Sequence, residues 1–328
     1  MKRFGTSLLL ASVCTLVLNG ALQAEAPTQG VDPGLPVYAR LQDQVAGKIT
    51  LVGSDTLSQV VSVWAQDFKA LYPDVQIDIQ VQGARNAVKS VMDGNATFGL
   101  LSRSITEDEV RAFHEKFGYL PTVLTPVHEQ IGIYVHKDNP IKSLNIEQLD
   151  AIFSASMKRG AKKPVTTWGD LGLSGQWANV PIQLQGRSDD TGSQVYFQTA
   201  VMLNGNFRNG MVSHANNMDL VKAIGSQPGA IGFAGAIYDI DQVKAVPIVL
   251  QPQSDPISLH QPGYPLVRPL QIVVNKNRNK PLSKVEAEFI KYIFSARGQQ
   301  DVLFGGFIPT NARAAKVALD AVGVTTLD

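Results

Sequence analysis

The sequence predicts a two-lobed α/β protein. Short β-prone runs alternate with helix-spaced apolar residues along the 328-residue chain. Two β-rich runs, 129–135 and 270–274, each end in a polar turn and read as paired hinge strands crossing between lobes. Hydroxyl-rich turns near positions 55 and 190 each join a strand to a helix. At this length two domains of ordinary size fit.

The first segment, 1–24, has the layout of a secretory signal peptide. Lys2 and Arg3 precede the apolar stretch Leu8 to Leu18, and Ala21-Leu22-Gln23-Ala24 places cleavage after Ala24. The apolar stretch is too short to span a bilayer well, which argues against a retained anchor. The one cysteine, Cys14, lies in this segment, after a Val13 that suits lipid attachment poorly. The mature chain is therefore expected to have no disulfide and no thiolate.

Residues 25–47, with Pro27, Pro33 and Pro36, read as an extended arm. Ile49 to Val52 is a short strand. Leu57, Val60, Val61, Trp64, Phe68 and Leu71 follow at helical spacing, and Pro73 ends that helix. Residues 75–81 alternate as a half-buried strand, 87–92 are helical, and 98–101 are a short apolar strand. The turns closing the two crossings are Lys137-Asp138-Asn139-Pro140 and Asn275-Lys276-Asn277. Pairing them makes 132–265 an inserted second lobe and leaves 48–131 plus 266–328 as the first. Within the insert, 146–153 and 194–203 read as helices and 229–235 as a Gly-rich strand and turn.

Composition narrows the partners. Hydrophobic residues are 44% and charged residues 17%, as in ordinary globular proteins. The net charge of +1 leaves no surplus for a nucleic-acid backbone. Loss of Lys2 and Arg3 would change 29 basic residues to 27, against 28 acidic ones, a net charge of −1. Anion binding must then come from a local site.

The turn Gly53-Ser54-Asp55-Thr56-Leu57 is the first such candidate. Free N–H groups and the positive dipole end at a helix start suit an anion, and Ser54 and Thr56 add hydroxyls. The plainer reading is an N-cap made by Ser54 or Asp55. The turn Gly186-Arg187-Ser188-Asp189-Asp190-Thr191-Gly192-Ser193-Gln194 is the second. Gly192 permits close backbone approach, Thr191 and Ser193 offer hydroxyls, and Arg187 offers a planar fork. Its plainer reading is a surface turn with an Arg–Asp pair. Together the two turns suggest one anion held between two helix starts. Gln82 to Asn86, with Ala84 and Arg85, and Leu101 to Ser104, with Ser102 and Arg103, are smaller segments that could complete the pocket.

Catalysis is not expected. The five histidines have no metal-ligand spacing, and Gly-x-Ser-x-Gly, the phosphate-binding Gly-x-x-x-x-Gly-Lys loop and Gly-x-Gly-x-x-Gly are all missing. No cofactor or metal is implied.

Several segments in a fixed order resemble the periplasmic phosphate-binding proteins of the phosphate-specific ABC transporter. They are Val52 to Leu57 with Trp64-Ala65, His136 to Ile141, Asp150 to Phe153, Thr167 to Leu171, Gly186 to Ser193, and Gly263 to Leu266 with Arg268. The resemblance, from about 31 to 320, implies a type II periplasmic solute-binding protein fold that closes on inorganic phosphate or a related tetrahedral oxyanion. It implies a periplasmic monomer whose partners are an inner-membrane permease and its ATPase. By that likeness Thr56 and Leu57 present ligand-facing backbone, Arg187 binds the anion, Asp189 orients Arg187, and Thr191, Gly192 and Ser193 form the second cradle.

The chain departs from the family pattern at Ala84 and Arg85, where serines are common, at Ser102, where some members carry aspartate, and at Asp190 and Ser193. A site selective for protonated phosphate needs a proton acceptor. Asp55 is the first candidate and Asp190 the second. A phosphate sensor or scavenger without a permease, and a weak phosphatase-like enzyme, are the alternatives.

Overall fold

The computed structural model describes residues 30–189, 191–238 and 240–324. The expected signal segment, Cys14 and Asp190 lie outside the described residues. From residue 30 the arm runs without helix or strand to 46 and buries Leu35 and Val45 in a core. It is fastened by the Tyr38 hydroxyl, which donates to that of Tyr72 at 2.9 Å.

Strand β1 (Gly47–Gly53) leads into helix α1 (Asp55–Leu71), whose Leu57, Val60, Val61, Trp64 and Phe68 form one buried stripe. Strand β2 (Val75–Val81), helix α2 (Ala87–Met92), strand β3 (Phe98–Leu101) and helix α3 (Glu107–Phe117) follow. The long strand β4 (Thr122–His136) comes next. Then come β5 (Leu144–Asn145), α4 (Ile146–Phe153), β6 (Gln183–Arg187), α5 (Gly192–Ala200), β7 (Val212–His214) and α6 (Asn217–Gly225). After β8 (Ala230–Gly235), β9 (Val243–Ala245) and β10 (Ile248–Val249), strand β11 (Val267–Val274) returns the chain. Helices α7 (Lys284–Ile293) and α8 (Ala296–Phe304), strand β12 (Ile308–Pro309) and helix α9 (Ala312–Ala321) complete it.

The main sheet runs β2-β1-β3-β11-β4-β8-β6-β7. Strand β4 serves two neighbourhoods. Its first part pairs antiparallel with β11 through Gln130, and from Ile131 onward it pairs with β8. The return crossing lies at Leu266, whose carbonyl accepts from Ile131 N at 2.8 Å. Leu266 packs in one core with Ile133, Phe153, Phe197 and Phe233, whereas Leu270 packs in another with Trp64, Phe68 and Phe289. Residues 270–274, expected as a hinge strand, therefore sit between β3 and the first part of β4, and the chain passes from one core to the other at the start of β11. A smaller cluster of Val52, Ala87, Val91, Phe113 and Val273 covers the other face of the β1, β3 and β11 strands.

The helix expected at 194–203 starts two residues earlier, at Gly192, and ends at Ala200. Leu203 and Asn204 take φ of 49° and 56°, left-handed values that cannot continue a helix. The apolar spacing read above places no helix at α3, α6 or α7 to α9. Helix α3 escapes a reading by spacing because it is mostly charged, with only Phe113 buried. It is held at its start by a capping box between Thr106 and Glu109.

Arg103 grips that same Glu109 with two nitrogens, at 2.8 and 2.7 Å, and so anchors α3. Burial raises the Glu109 pKa, but the Arg103 and Thr106 hydrogen bonds outweigh it and hold the carboxyl below its ordinary value. Replacing Glu109 with Gln should cost about 1–2 kcal/mol at neutral pH. That difference should shrink as pH falls through the lowered pKa, because protonated Glu109 loses the same charge. Urea unfolding of both proteins across acid pH checks this.

Candidate functional site

The β1–α1 turn is fixed by a glycine. Gly53 has φ of +143°, and a Cβ there would stand 2.2 Å from the Leu100 carbonyl oxygen. Only glycine lets the turn lie against β3, where Ser54 N donates to Leu100 O at 2.9 Å. Ser54 is fully buried, and its Oγ accepts from Leu57 N at 3.3 Å. The amide of Thr56 donates to Asp55 Oδ1 at 2.9 Å. Both amides expected to face a ligand are thus taken by local side chains. The helix start presents the half-exposed Asp55 carboxylate instead.

Across from it stands Arg187, 2% exposed at the end of β6. Its Nε donates to His214 O at 3.2 Å, and Nη2 donates to Ala215 O at 2.9 Å. Nη2 also lies 3.5 Å from Asp55 Oδ2, a contact between residues 132 positions apart. The carbonyls belong to His214, the last residue of β7, and to Ala215 just after it; β7 pairs with β6 so that His214 stands beside Arg187. Burial lowers the His214 pKa, with Asp219 opposing and Arg187 reinforcing the shift. The likeness had assigned the orienting role to Asp189. That residue is exposed in the turn, and no hydrogen bond joins it to Arg187. Strand pairing supplies the orienting acceptors instead.

Helix α5 begins beside this pair. Its N-cap Thr191 accepts nothing from the first turn, and its hydroxyl points back to donate to Ser188 O at 2.9 Å. The first turn of α5 therefore keeps amide hydrogens and a positive dipole end facing the cleft without a side-chain cap. The approach is close: a Cβ on Gly192 would lie 2.0 Å from Ser102 Oγ and 2.5 Å from Ser102 O.

A cavity of about 200 Å³ opens between these groups, lined by Asp55, Gly83, Ala84, Ser102, Arg187, Thr191, Gly192 and Ala215. Of the expected residues, Asp55, Ala84, Ser102, Arg187, Thr191 and Gly192 meet here. Ser54, Thr56, Leu57 and Ser193 are buried behind the lining, and Arg85 is exposed. A larger cavity of about 340 Å³ lies along β6 and β7, with Gln183, Gln185 and Arg208 in its wall. Arg208 already donates to the Ile152 and Val165 carbonyls, at 3.0 and 2.7 Å. That cavity has no comparable convergence of charge and helix start, so the smaller cleft is the candidate site.

Two charged residues were missed as site residues. Arg268 and Glu129, 0% and 1% exposed, form a buried pair at 2.6 Å beneath the cleft. Arg268 Nη1 donates to Ser102 O at 2.8 Å, and Nη2 lies 3.5 Å from Thr56 Oγ1. The sequence does carry a signal: an acidic residue opens one β-rich crossing and a basic residue stands just before the other, where apolar residues are the rule.

The PBP superfamily domain matches residues 39–297. The phosphate-binding protein PstS of Pseudomonas aeruginosa is 38% identical over 320 residues, covering 96% of this chain and 98% of that protein. Among solved structures, an ABC-type phosphate transport receptor from Vibrio cholerae aligns with a TM-score of 0.64 at 20% identity, covering 80% of this chain and 100% of that one. A protein from Clostridium perfringens, crystallised with bound phosphate, aligns with a TM-score of 0.63 at 23% identity over the same shares. The structural likenesses establish the two-lobed α/β fold, and the identity along nearly the whole chain establishes descent: the chain belongs to the PstS family of phosphate-binding proteins within the PBP superfamily.

Proposed function

We propose that this chain is a periplasmic, monomeric, non-catalytic receptor. It captures inorganic phosphate in the cleft between lobes 48–131 plus 266–328 and 132–265, and delivers it to an inner-membrane ABC permease and ATPase. The observation that carries the reading is the contact of Arg187 with Asp55 across the cleft, beside the uncapped start of α5. A buried guanidinium and a helix N-terminus converging on one small cavity suit a tetrahedral oxyanion. The lobes open and close where β4 and Leu266 cross. Closure removes water and strengthens each charge-assisted bond. No serine or threonine hydroxyl in this lining is hydrogen-bonded to a basic side chain, which supports binding without nucleophilic attack.

Asp55 gives the site its selectivity. Its carboxylate already holds the place beside Arg187 and the Thr56 amide that an anion would share. An ionised carboxylate only accepts hydrogen bonds. It therefore favours an oxyanion that carries a proton to donate and repels one that does not, such as sulfate. Ser102, a neutral hydroxyl where the family pattern sometimes has a carboxylate, is the weaker acceptor.

Calorimetric titration of protein stripped of ligand, with phosphate, arsenate and sulfate, tests the reading. Heat is expected with phosphate and arsenate and not with sulfate. Asp55→Asn should weaken phosphate about tenfold and narrow the gap to sulfate. Silence with all three oxyanions in the wild-type protein would sink the proposal. Deletion of the gene should remove high-affinity phosphate uptake; a pure sensor would leave uptake intact.

A further inference from the structure

Beneath the cleft lies a pair of charges that the anion-binding scheme has not used. Glu129 and Arg268 are opposite one another in the β4–β11 register, on the two strands through which the chain changes lobes. Both are essentially without solvent contact. The guanidinium spends Nε on Glu129 Oε2 at 2.8 Å and brings Nη2 to the same oxygen at 2.6 Å. Its Nη1 donates to the carbonyl of Ser102, and Nη2 reaches toward the hydroxyl of Thr56. One planar group therefore fixes the two turns of the first lobe that face the anion, the one after β1 and the one after β3.

Hydroxyl polarity follows from this. Arginine only donates, so Thr56 Oγ1 accepts from Arg268 and keeps its own hydrogen for another partner. Ser102, held by its carbonyl, is the residue against which Gly192 of α5 closes. Arg268 thus fixes both a buried hydroxyl at the start of α1, behind the cleft lining, and the stop for the opposite lobe.

Glu129 is bound on one oxygen only. Its Oε1 has no hydrogen-bond partner among the described residues and packs against Gly235 of β8, where a Cβ would come within 2.0 Å of it. A buried carboxylate with one oxygen unsatisfied is costly, and a proton on that oxygen relieves the cost.

We infer that Arg268 and Glu129 are the positioning pair of the anion cleft, with Arg268 setting Thr56 and Ser102 in place and Glu129 deciding how much of the Arg268 charge the anion feels. The inference rests on the phosphate-binding reading. The charged and titratable groups around Glu129 are Arg268 on β11, Asp55 at the start of α1, Arg187 at the end of β6, and His128 beside it on β4. Tyr238 approaches Gly235, and Tyr196 of α5, which donates to Val267 O at 3.0 Å, stands beside Arg268. Burial raises the Glu129 pKa, Arg268 opposes this, Asp55 adds to it and Arg187 offsets it. With Glu129 ionised the pair is neutral. With Glu129 protonated it carries one positive charge under the cleft. Anion affinity therefore gains from Glu129 protonation, and that gain is lost as pH rises through the raised pKa.

The test is phosphate titration of the full mature chain across pH 5 to 8.5, for wild type, Arg268→Lys and Glu129→Gln. Lysine keeps the charge but cannot hold Glu129, Ser102 and Thr56 at once. Arg268→Lys should weaken phosphate about tenfold at every pH. Glu129→Gln, a neutral stand-in for the protonated acid, should tighten phosphate about three- to tenfold at the alkaline end and flatten the pH profile. Wild-type affinity in Arg268→Lys, or an unaltered pH profile in Glu129→Gln, would overturn the inference. Should either variant lack a cooperative melt, infrared difference spectra of the wild type decide it. Phosphate addition must then increase a protonated, non-hydrogen-bonded carboxyl band, and no change there would overturn the inference. No heat from wild type with phosphate refutes the binding reading itself, whereas heat without these variant effects refutes only the role of the pair.

Discussion

Arg187→Gln is expected to lower phosphate affinity by roughly 30-fold to several-thousand-fold, equivalent to about 2–5 kcal/mol. The guanidinium is almost wholly buried, and it is held by two backbone carbonyls that neutralise little of its charge. Glutamine has the length for one such bond but not the charge. The bound anion would then meet Asp55 without its nearest counter-charge. The loss should appear in affinity and only weakly in thermal stability, because the carbonyls of His214 and Ala215 are near solvent and can be hydrated: His214 is only partly buried and Ala215 is exposed. Arg187→Lys should fall between, since a point charge cannot serve both carbonyls and an oxyanion. Calorimetry paired with thermal melts measures both quantities. Phosphate binding by Arg187→Gln within a few-fold of wild type would mean that the anion is held elsewhere.

Gly192→Ala tests closure in a different way. Alanine is at home in a helix, and Gly192 does not need a glycine-only φ, so the second lobe should fold as well as before. The added Cβ meets Ser102 Oγ at 2.0 Å and Ser102 O at 2.5 Å. Rotating the serine side chain can relieve the first overlap but not the second, which is with backbone. Moving the lobes apart relieves both. The expected cost of closing is about 3 kcal/mol, near the upper end for overpacking, or about 100-fold or more in phosphate affinity. The ligand-free melt should change little. Small-angle scattering should show wild type compacting on phosphate addition and the variant failing to do so. Ser102→Gly in the same chain should recover part of the affinity, because it removes one of the two overlaps. Full closure and wild-type affinity in Gly192→Ala would show that the bound state does not bring α5 against Ser102.

The difference between the two helix starts explains why local reading went further at one than at the other. At 53–57 the sequence is compatible with an anion cradle and with a self-capped helix. Ser54 and Asp55 satisfy the Leu57 and Thr56 amides, so the second description holds there. At 186–194 the hydrogen bonding differs. Thr191 turns its hydroxyl back to Ser188 and leaves the first turn of α5 without a cap. Side-chain composition is nearly equivalent in the two turns. What differs is which acceptor each hydroxyl finds nearby, and that depends on rotamer and on neighbouring strands.

Chain order and residue chemistry alone determined the alternation of strands and helices. They also determined the amphipathic stripe of Leu57, Val60, Val61, Trp64 and Phe68, and the pair of turns rich in hydroxyls, glycine and arginine. These are properties of neighbours in sequence, and periodicity reports them directly. Only the tertiary structure decided that Arg187 takes its orientation from His214 and Ala215, and that it meets Asp55, 132 positions away. Only it paired Arg268 with Glu129 across 139 positions and set Gly192 against Ser102. Each of those contacts depends on which strand lies beside which. That order follows from how two apolar cores are buried together, and a local pattern of residues does not contain it.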